Sequence, residues 1–204
     1  HDDAMDVMQE KTTEEIYKSA MVGKVAGNLR YVSGWLLYRK RIMWLIVLVF
    51  GNLFSGAGIS LFEDIIASHV ALVFFLPLLI GSGGNAGAQS ATLMVRSLAT
   101  GDVMLKDWSK MLVRELLVSL ALGVTMAIAV AGIGLWRGDI NIAKVVCITM
   151  LLVVMFGSMI GMLLPFVLSR FKCDPATASA PLITSIADAV GVVIYFSIST
   201  AVLL

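Results

Sequence analysis

Charge is what this chain has least of. Asp, Glu, Lys and Arg make up 14% of its 204 residues, against about 25% in ordinary soluble domains. Hydrophobic residues reach 59% and the mean hydropathy is +0.93, which excludes a soluble domain and marks an integral membrane protein. Histidine is confined to His1 and His69, and cysteine to Cys147 and Cys173. Neither pair has the spacing of a metal site or of a disulfide framework, so free thiols and no soft-metal centre are expected. The twelve methionines are scattered as core filler. A net charge of +1, without a basic cluster interleaved with aromatics, gives no footing for nucleic acid.

A secretory leader is not expected, because the first forty residues are polar and mixed in charge rather than a basic tip followed by an apolar run. The chain opens on His1 without a methionine, and the expectation is the trimmed remainder of a longer protein. Residues 1–41 read as a soluble lead-in. Asp2, Asp3, Asp6, Glu10, Glu14 and Glu15 crowd its start, and Lys18, Lys24, Arg30, Arg39, Lys40 and Arg41 follow. Met5, Met8, Ile16 and Val22 suit a helix, while Gly23, Gly27 and Gly34 weaken it. The acidic run is either a solvated face or a cation sensor.

What remains is apolar and long. Five stretches, at about 42–62, 70–97, 111–136, 142–169 and 176–204, each approach the ~20 residues needed to cross ~30 Å of hydrocarbon. Backbone polar groups in lipid must be satisfied within the protein, so these are expected to be helices, with Pro77, Pro165 and Pro181 as kinks or breaks. The fold class is therefore all-α and polytopic. Arg39, Lys40, Arg41, Arg96, Lys106, Lys110, Arg114, Arg170 and Lys172 fall on one side, and only Arg137 and Lys144 on the other. By that bias the N-terminus is cytoplasmic and, after five crossings, the C-terminus is outside the cell membrane. Five helices are few to enclose an aqueous route, so a symmetric dimer with a route on its two-fold axis is attractive.

Two places break the apolar pattern. In the first, from Pro77 to Asp102, Gly81, Gly83, Gly84 and Gly87 are interleaved with Asn85 and Gln89. Gly81-x-Gly83-x-x-Ala86 satisfies a relaxed dinucleotide-binding pattern, but the alternating strands and helices that this needs are missing. Glycines in a membrane helix can simply permit close packing. Asn85 and Gln89, one turn apart on one face, favour a water-filled path instead.

The second is Asp188, the solitary ionisable residue deep within a span. An acidic side chain there costs about 2.5–3.5 kcal/mol on the insertion scale, and no Lys or Arg in the same span can neutralise it. Its stripe is Ala180, Thr184, Asp188, Gly191 and Tyr195, small and polar among Ile, Leu and Val. Asp188, Asn85, Thr184 and the Gly191 carbonyl form an oxygen set that suits a hydrated divalent cation such as Mg2+, which keeps several of its waters. An intramembrane hydrolase lacks its second deep carboxylate or a Ser and His pair, so no enzyme is expected. A passive membrane anchor leaves Asp188 unexplained.

With Pro77-x-x-x-Gly81-x-Gly83-Gly84-Asn85-x-Gly87-x-Gln89-Ser90, Asp174-Pro175-Ala176 and Pro181-Leu182-Ile183-Thr184 before Asp188, the chain resembles the MgtE magnesium channel family over essentially its whole length. The resemblance implies a homodimer of five-helix subunits in the inner (plasma) membrane, passing Mg2+ into the cytoplasm and closing when internal Mg2+ is high. Mg2+ is then both transported ion and regulator. It implies that Asp188 binds hydrated Mg2+ in the pore, with Asn85, Thr184 and Gly191 beside it, and that Gly83, Gly84, Gly87, Gln89 and Ala180 belong to the pore motifs. Residues 1–41 resemble the tail of a CBS region and the connecting plug helix, with Glu14 and Glu15 as acidic gating residues, and 42–204 the pore domain. The N-terminal and most of the CBS domains are missing partners, so this stretch is expected to lack normal closure. The alternative is a carrier or ion-coupled exchanger for another divalent cation.

Overall fold

A computed structural model describes Ile16 and residues 32–204 of the chain. Among these the long elements are all helical: α1 (Gly34–Ser60), a short α2 (Glu63–Ser68), α3 (Ala71–Thr100), α4 (Trp108–Arg137), α5 (Ile140–Arg170) and α6 (Ala180–Leu203). Two 3-10 turns, Leu105–Asp107 and Pro175–Thr177, lead into α4 and towards α6. Among the described residues, five helices are long and apolar enough to cross a membrane, and this is an all-α, multi-pass membrane protein.

The helix ends follow local chemistry. Asp139 caps α5, its Oδ1 accepting from the Asn141 and Ile142 amides at 2.8 and 3.0 Å. Gly101 ends α3 in the left-handed conformation at φ 78°, where a Cβ would be strained. The prolines behave unequally. Pro77 and Pro165 lie inside uninterrupted helices, whereas Pro181 sits in the first turn of α6, where its missing N–H costs nothing. Helix α1 starts at Gly34, so Arg39, Lys40 and Arg41 belong to the helix itself.

Helix α5 is the hub. It packs against α3, α4 and α6, while α6 also meets α3 and α1. The core joins Leu72, Phe75 and Leu79 of α3, Val145, Met150 and Val154 of α5, and Val192, Tyr195 and Phe196 of α6. In a bilayer such contacts are held by close packing rather than by escape from water, and the glycines show it. A Cβ on Gly157 would collide with the Gly83 carbonyl oxygen, and one on Gly161 with that of Gly87. Two Gly-x-x-x-Gly pairs, 83/87 and 157/161, thus face each other across parallel helices. On the other flank Gly123 and Gly134 of α4 meet Leu151 and Ala143 of α5 in antiparallel order. Helix α1 touches the bundle chiefly through its end, where Gly58 faces Val192 and Phe62 stacks on Phe196 at 5.5 Å between ring centroids.

Candidate functional site

The glycine-rich motif divides into two faces of α3. Gly83, Gly84 and Gly87 are buried and set helix contacts: a Cβ would lie 2.6 Å from Val153 Cγ1 at Gly83, 3.1 Å from Thr184 Cγ2 at Gly84, and 2.7 Å from both Ile183 Cγ2 and the Gly157 carbonyl oxygen at Gly87. Gly81, Asn85 and Gln89, spaced by four, share the opposite side and are exposed. Close packing and an open polar face therefore coexist in one motif, on different sides of one helix.

Helix α6 carries the other half. The Pro175–Thr177 turn is held by Asp174 Oδ1, which accepts from the Ala176 amide at 2.9 Å. Ala180 begins the helix and is exposed; one turn on, Thr184 Oγ1 donates to the Pro181 carbonyl at 3.0 Å, leaving its lone pairs free to accept. Gly191 is buried, its Cα facing Val153 and Ile80. Tyr195 leaves the polar stripe altogether. It is fully buried, and its hydroxyl donates to the Leu72 carbonyl at 2.8 Å, tying α6 to α3.

Register brings the two halves together. Ile80 faces Gly191, Gly84 faces Thr184, and Gly87 faces Ile183, so α3 and α6 run antiparallel. Asp188, between Thr184 and Gly191, consequently lies level with the Gly81–Gly84 turn and next to the turn that carries Asn85. It is half-buried, and its carboxylate makes no hydrogen bond or ion pair among the described residues. No group of three or more His, Cys, Asp or Glu side chains gathers among the described residues. The chemistry on offer is a single carboxylate with carboxamide, hydroxyl and carbonyl oxygens nearby, a set that suits a hard cation still wearing water and could not replace its whole hydration shell.

Glu14 and Glu15 lie outside the described residues, as does the expected connecting helix apart from Ile16. The hydrogen bond of Tyr195 gave no signal in the sequence. The pairing of Gly83 and Gly87 with Gly157 and Gly161 had one, the same four-residue spacing in both.

A family model for MgtE, described as a divalent cation transporter, matches residues 76–198. This chain belongs to the MgtE family. It is 36% identical over 205 residues to the magnesium transporter MgtE of Thermus thermophilus, a match covering 99% of this chain and 45% of that one. The magnesium transporter MgtE of Bacillus subtilis is 36% identical over 203 residues, covering 98% of this chain and 44% of its own. That of Enterococcus faecalis is 32% identical over 162 residues, covering 79% and 36%. The chain thus spans less than half the length of these MgtE relatives. The stretch matched by the family model contains every candidate from Gly81 to Gly191 and begins well after Glu14 and Glu15.

Proposed function

We propose that this chain is the pore domain of a Mg2+ channel, in which two copies pair so that Asp188, Asn85, Thr184 and Gly191 line a shared path across the membrane. One observation carries the reading. Asp188 stands within α6, a helix long and apolar enough to cross a membrane, half-buried and without a hydrogen bond or ion pair among the described residues, level with the exposed side of α3 that bears Asn85 and Gln89. Hydrocarbon is an untenable environment for that side, whereas a water-filled path shared with a second copy satisfies it.

The names of the MgtE relatives support magnesium as the ion. Mg2+ gives up its waters reluctantly, and those waters would donate to Asp188, to Asn85 Oδ1, to Thr184 Oγ1 and to the Gly191 carbonyl. Gly83, Gly84 and Gly87 would act by letting α3 approach α5 and α6, and Gln89 and Ala180 by extending the polar lining. In this reading residues 42–204 form the pore, with the N-terminus cytoplasmic, and residues 1–41 with Glu14 and Glu15 connect it to parts that close it when internal Mg2+ rises. The protein has no enzymatic step.

The test is Mg2+ influx into liposomes containing Asp188→Asn or Asp188→Ala. Both are expected to lose flux at least about tenfold, the scale of a coordination or electrostatic contact of ~1.4 kcal/mol or more, with the dimer intact on sizing. Parent-level flux in either rejects the site. Flux driven by an imposed Na+ or H+ gradient would favour a coupled exchanger instead.

A further inference from the structure

We propose that the basic end of the helix bundle holds a specific site for an anionic phospholipid, with an acyl chain in a slot between α4 and α5 and the phosphate on Arg170. The slot is a cavity of about 320 Å3 lined by Leu105, Trp108, Leu163, Phe166, Val167 and Arg170. Its inner wall is firm, since Phe166 is buried against Met94 and Met162, and Leu163 packs on the same group. Its rim is set by the Leu105–Asp107 turn. There Asp107 Oδ2 accepts from the Met104 amide at 2.9 Å, which engages the carboxylate next to Trp108 with backbone.

Arg170 is the one charged residue lining the slot among those described. It ends α5, is exposed, and has no hydrogen bond or ion pair among the described residues. Lys106 and Lys110, two residues either side of Trp108, are exposed as well. An apolar slot opening on an unneutralised guanidinium, at the ends of membrane-crossing helices, fits a molecule that is hydrocarbon at one end and phosphate at the other. Free phosphate would make no use of the apolar lining, and a zwitterionic headgroup brings a cation into the field of Arg170 and its neighbours. Trp108, half-exposed, has the amphipathic ring that sits at headgroup depth. The slot takes only part of one acyl chain, so the glycerol phosphate stays at the mouth. The inference rests on the membrane-spanning fold and is independent of the transport reading.

Trp108 is a built-in reporter. In this 204-residue chain with Trp35, Trp44 and Trp136 replaced by Phe, reconstituted in vesicles, its fluorescence is to be quenched by brominated phosphatidylglycerol or, separately, brominated phosphatidylcholine. Phosphatidylglycerol is expected to reach half-quenching at a mole fraction about fivefold lower, the scale of one basic side chain facing an anionic lipid surface. Arg170→Gln should abolish the difference and Arg170→Lys restore it. Arg137→Gln, at the opposite end of α4, should leave it unchanged. Val167→Phe, at an exposed position, should fill the slot and weaken quenching by phosphatidylglycerol. Equal quenching by the two lipids overturns the proposal, as does a preference that survives Arg170→Gln or is displaced by inorganic phosphate. So does the absence of quenching by either lipid, which would mean that a second copy or the lead-in covers the slot.

Discussion

Gly157 of α5 lies against Gly83 of α3 so closely that a methyl group on it would overlap the Gly83 carbonyl oxygen and come within 2.8 Å of the carbonyl carbon. The same approach is repeated one turn on, between Gly161 and Gly87. Backbone rather than side chain therefore sets the distance between the two helices, and through α3 it sets where Asn85 stands relative to α6. Backbone cannot swing aside as a flexible side chain can. Gly157→Ala should accordingly cost about 1–3 kcal/mol, the usual range for overpacking. Gly132→Ala, inside α4 where nothing lies within 4 Å, should be neutral or stabilising by up to about 1 kcal/mol, because alanine is the better helix former. Thermal unfolding of both variants in one detergent makes the comparison; equal midpoints would mean that the helices separate freely.

Tyr195 and Leu72 make the second tie between elements that flank the site. The phenol is buried and donates to a helix carbonyl. That carbonyl is next to the one at Val73, which loses its helical donor because Pro77 has no N–H. Tyr195→Phe removes the hydroxyl and little else. The expected loss is about 0.6–1.7 kcal/mol, between the average and the maximum found for polar contacts between membrane helices. Ion flux should remain close to the parent's, because the hydroxyl points into the core. A flux defect without a stability defect would move Tyr195 from scaffold to path.

Asp139 offers a test governed by pH. Hydrogen bonds from the backbone amides of Ile142 and Asn141 hold its carboxyl below the ordinary carboxylate range. A depressed folded-state value means that the cap stabilises α5 above the unfolded pKa of about 3.9, and that this contribution fades as pH falls through the lower folded value. Asp139→Asn keeps an oxygen that can accept from the same amides but cannot titrate. Its stability should therefore depend less on pH than the parent's between about pH 5 and pH 2. Melting curves recorded across that window decide it, and parallel curves would remove Asp139 from the acid response.

The five membrane-crossing helices were legible because hydrocarbon imposes one rule along each of them, and a lone Asp188 stood out because it broke that rule. The motif around Asn85 was legible as a composition but not as a division of labour. Sequence spacing puts Gly81, Asn85 and Gln89 on one face, yet only the contacts made by Gly83, Gly84 and Gly87 fix which face is open. Tyr195 was misleading for the same reason. It shares a stripe with Asp188, but α6 is surrounded by α1, α3 and α5, so a stripe that begins open at Ala180 ends buried at Tyr195. The short helix Glu63–Ser68 had no signal, since a six-residue apolar and acidic run suits a loop equally well.

Gly81 separates the pore reading from a packing reading most cleanly. Alone among the four motif glycines it has nothing within 4 Å of the place where a Cβ would stand. It shares the open side with Asn85 and Gln89, and the antiparallel register of α3 and α6 sets it level with Asp188. A packing role predicts that Gly81→Leu is harmless in every assay. Within a helix the change should be mildly stabilising, because glycine is about 0.8–1.0 kcal/mol poorer than alanine there and leucine is close to alanine. In a narrow path, however, an isobutyl group beside Asp188 both fills space and repels a hydrated ion. We expect Gly81→Leu to melt no earlier than the parent and to pass Mg2+ at least about tenfold more slowly, a barrier of ~1.4 kcal/mol or more. Gly81→Ala should fall between. A folded Gly81→Leu protein with undiminished flux would mean that ions pass elsewhere, even if Asp188 proves essential.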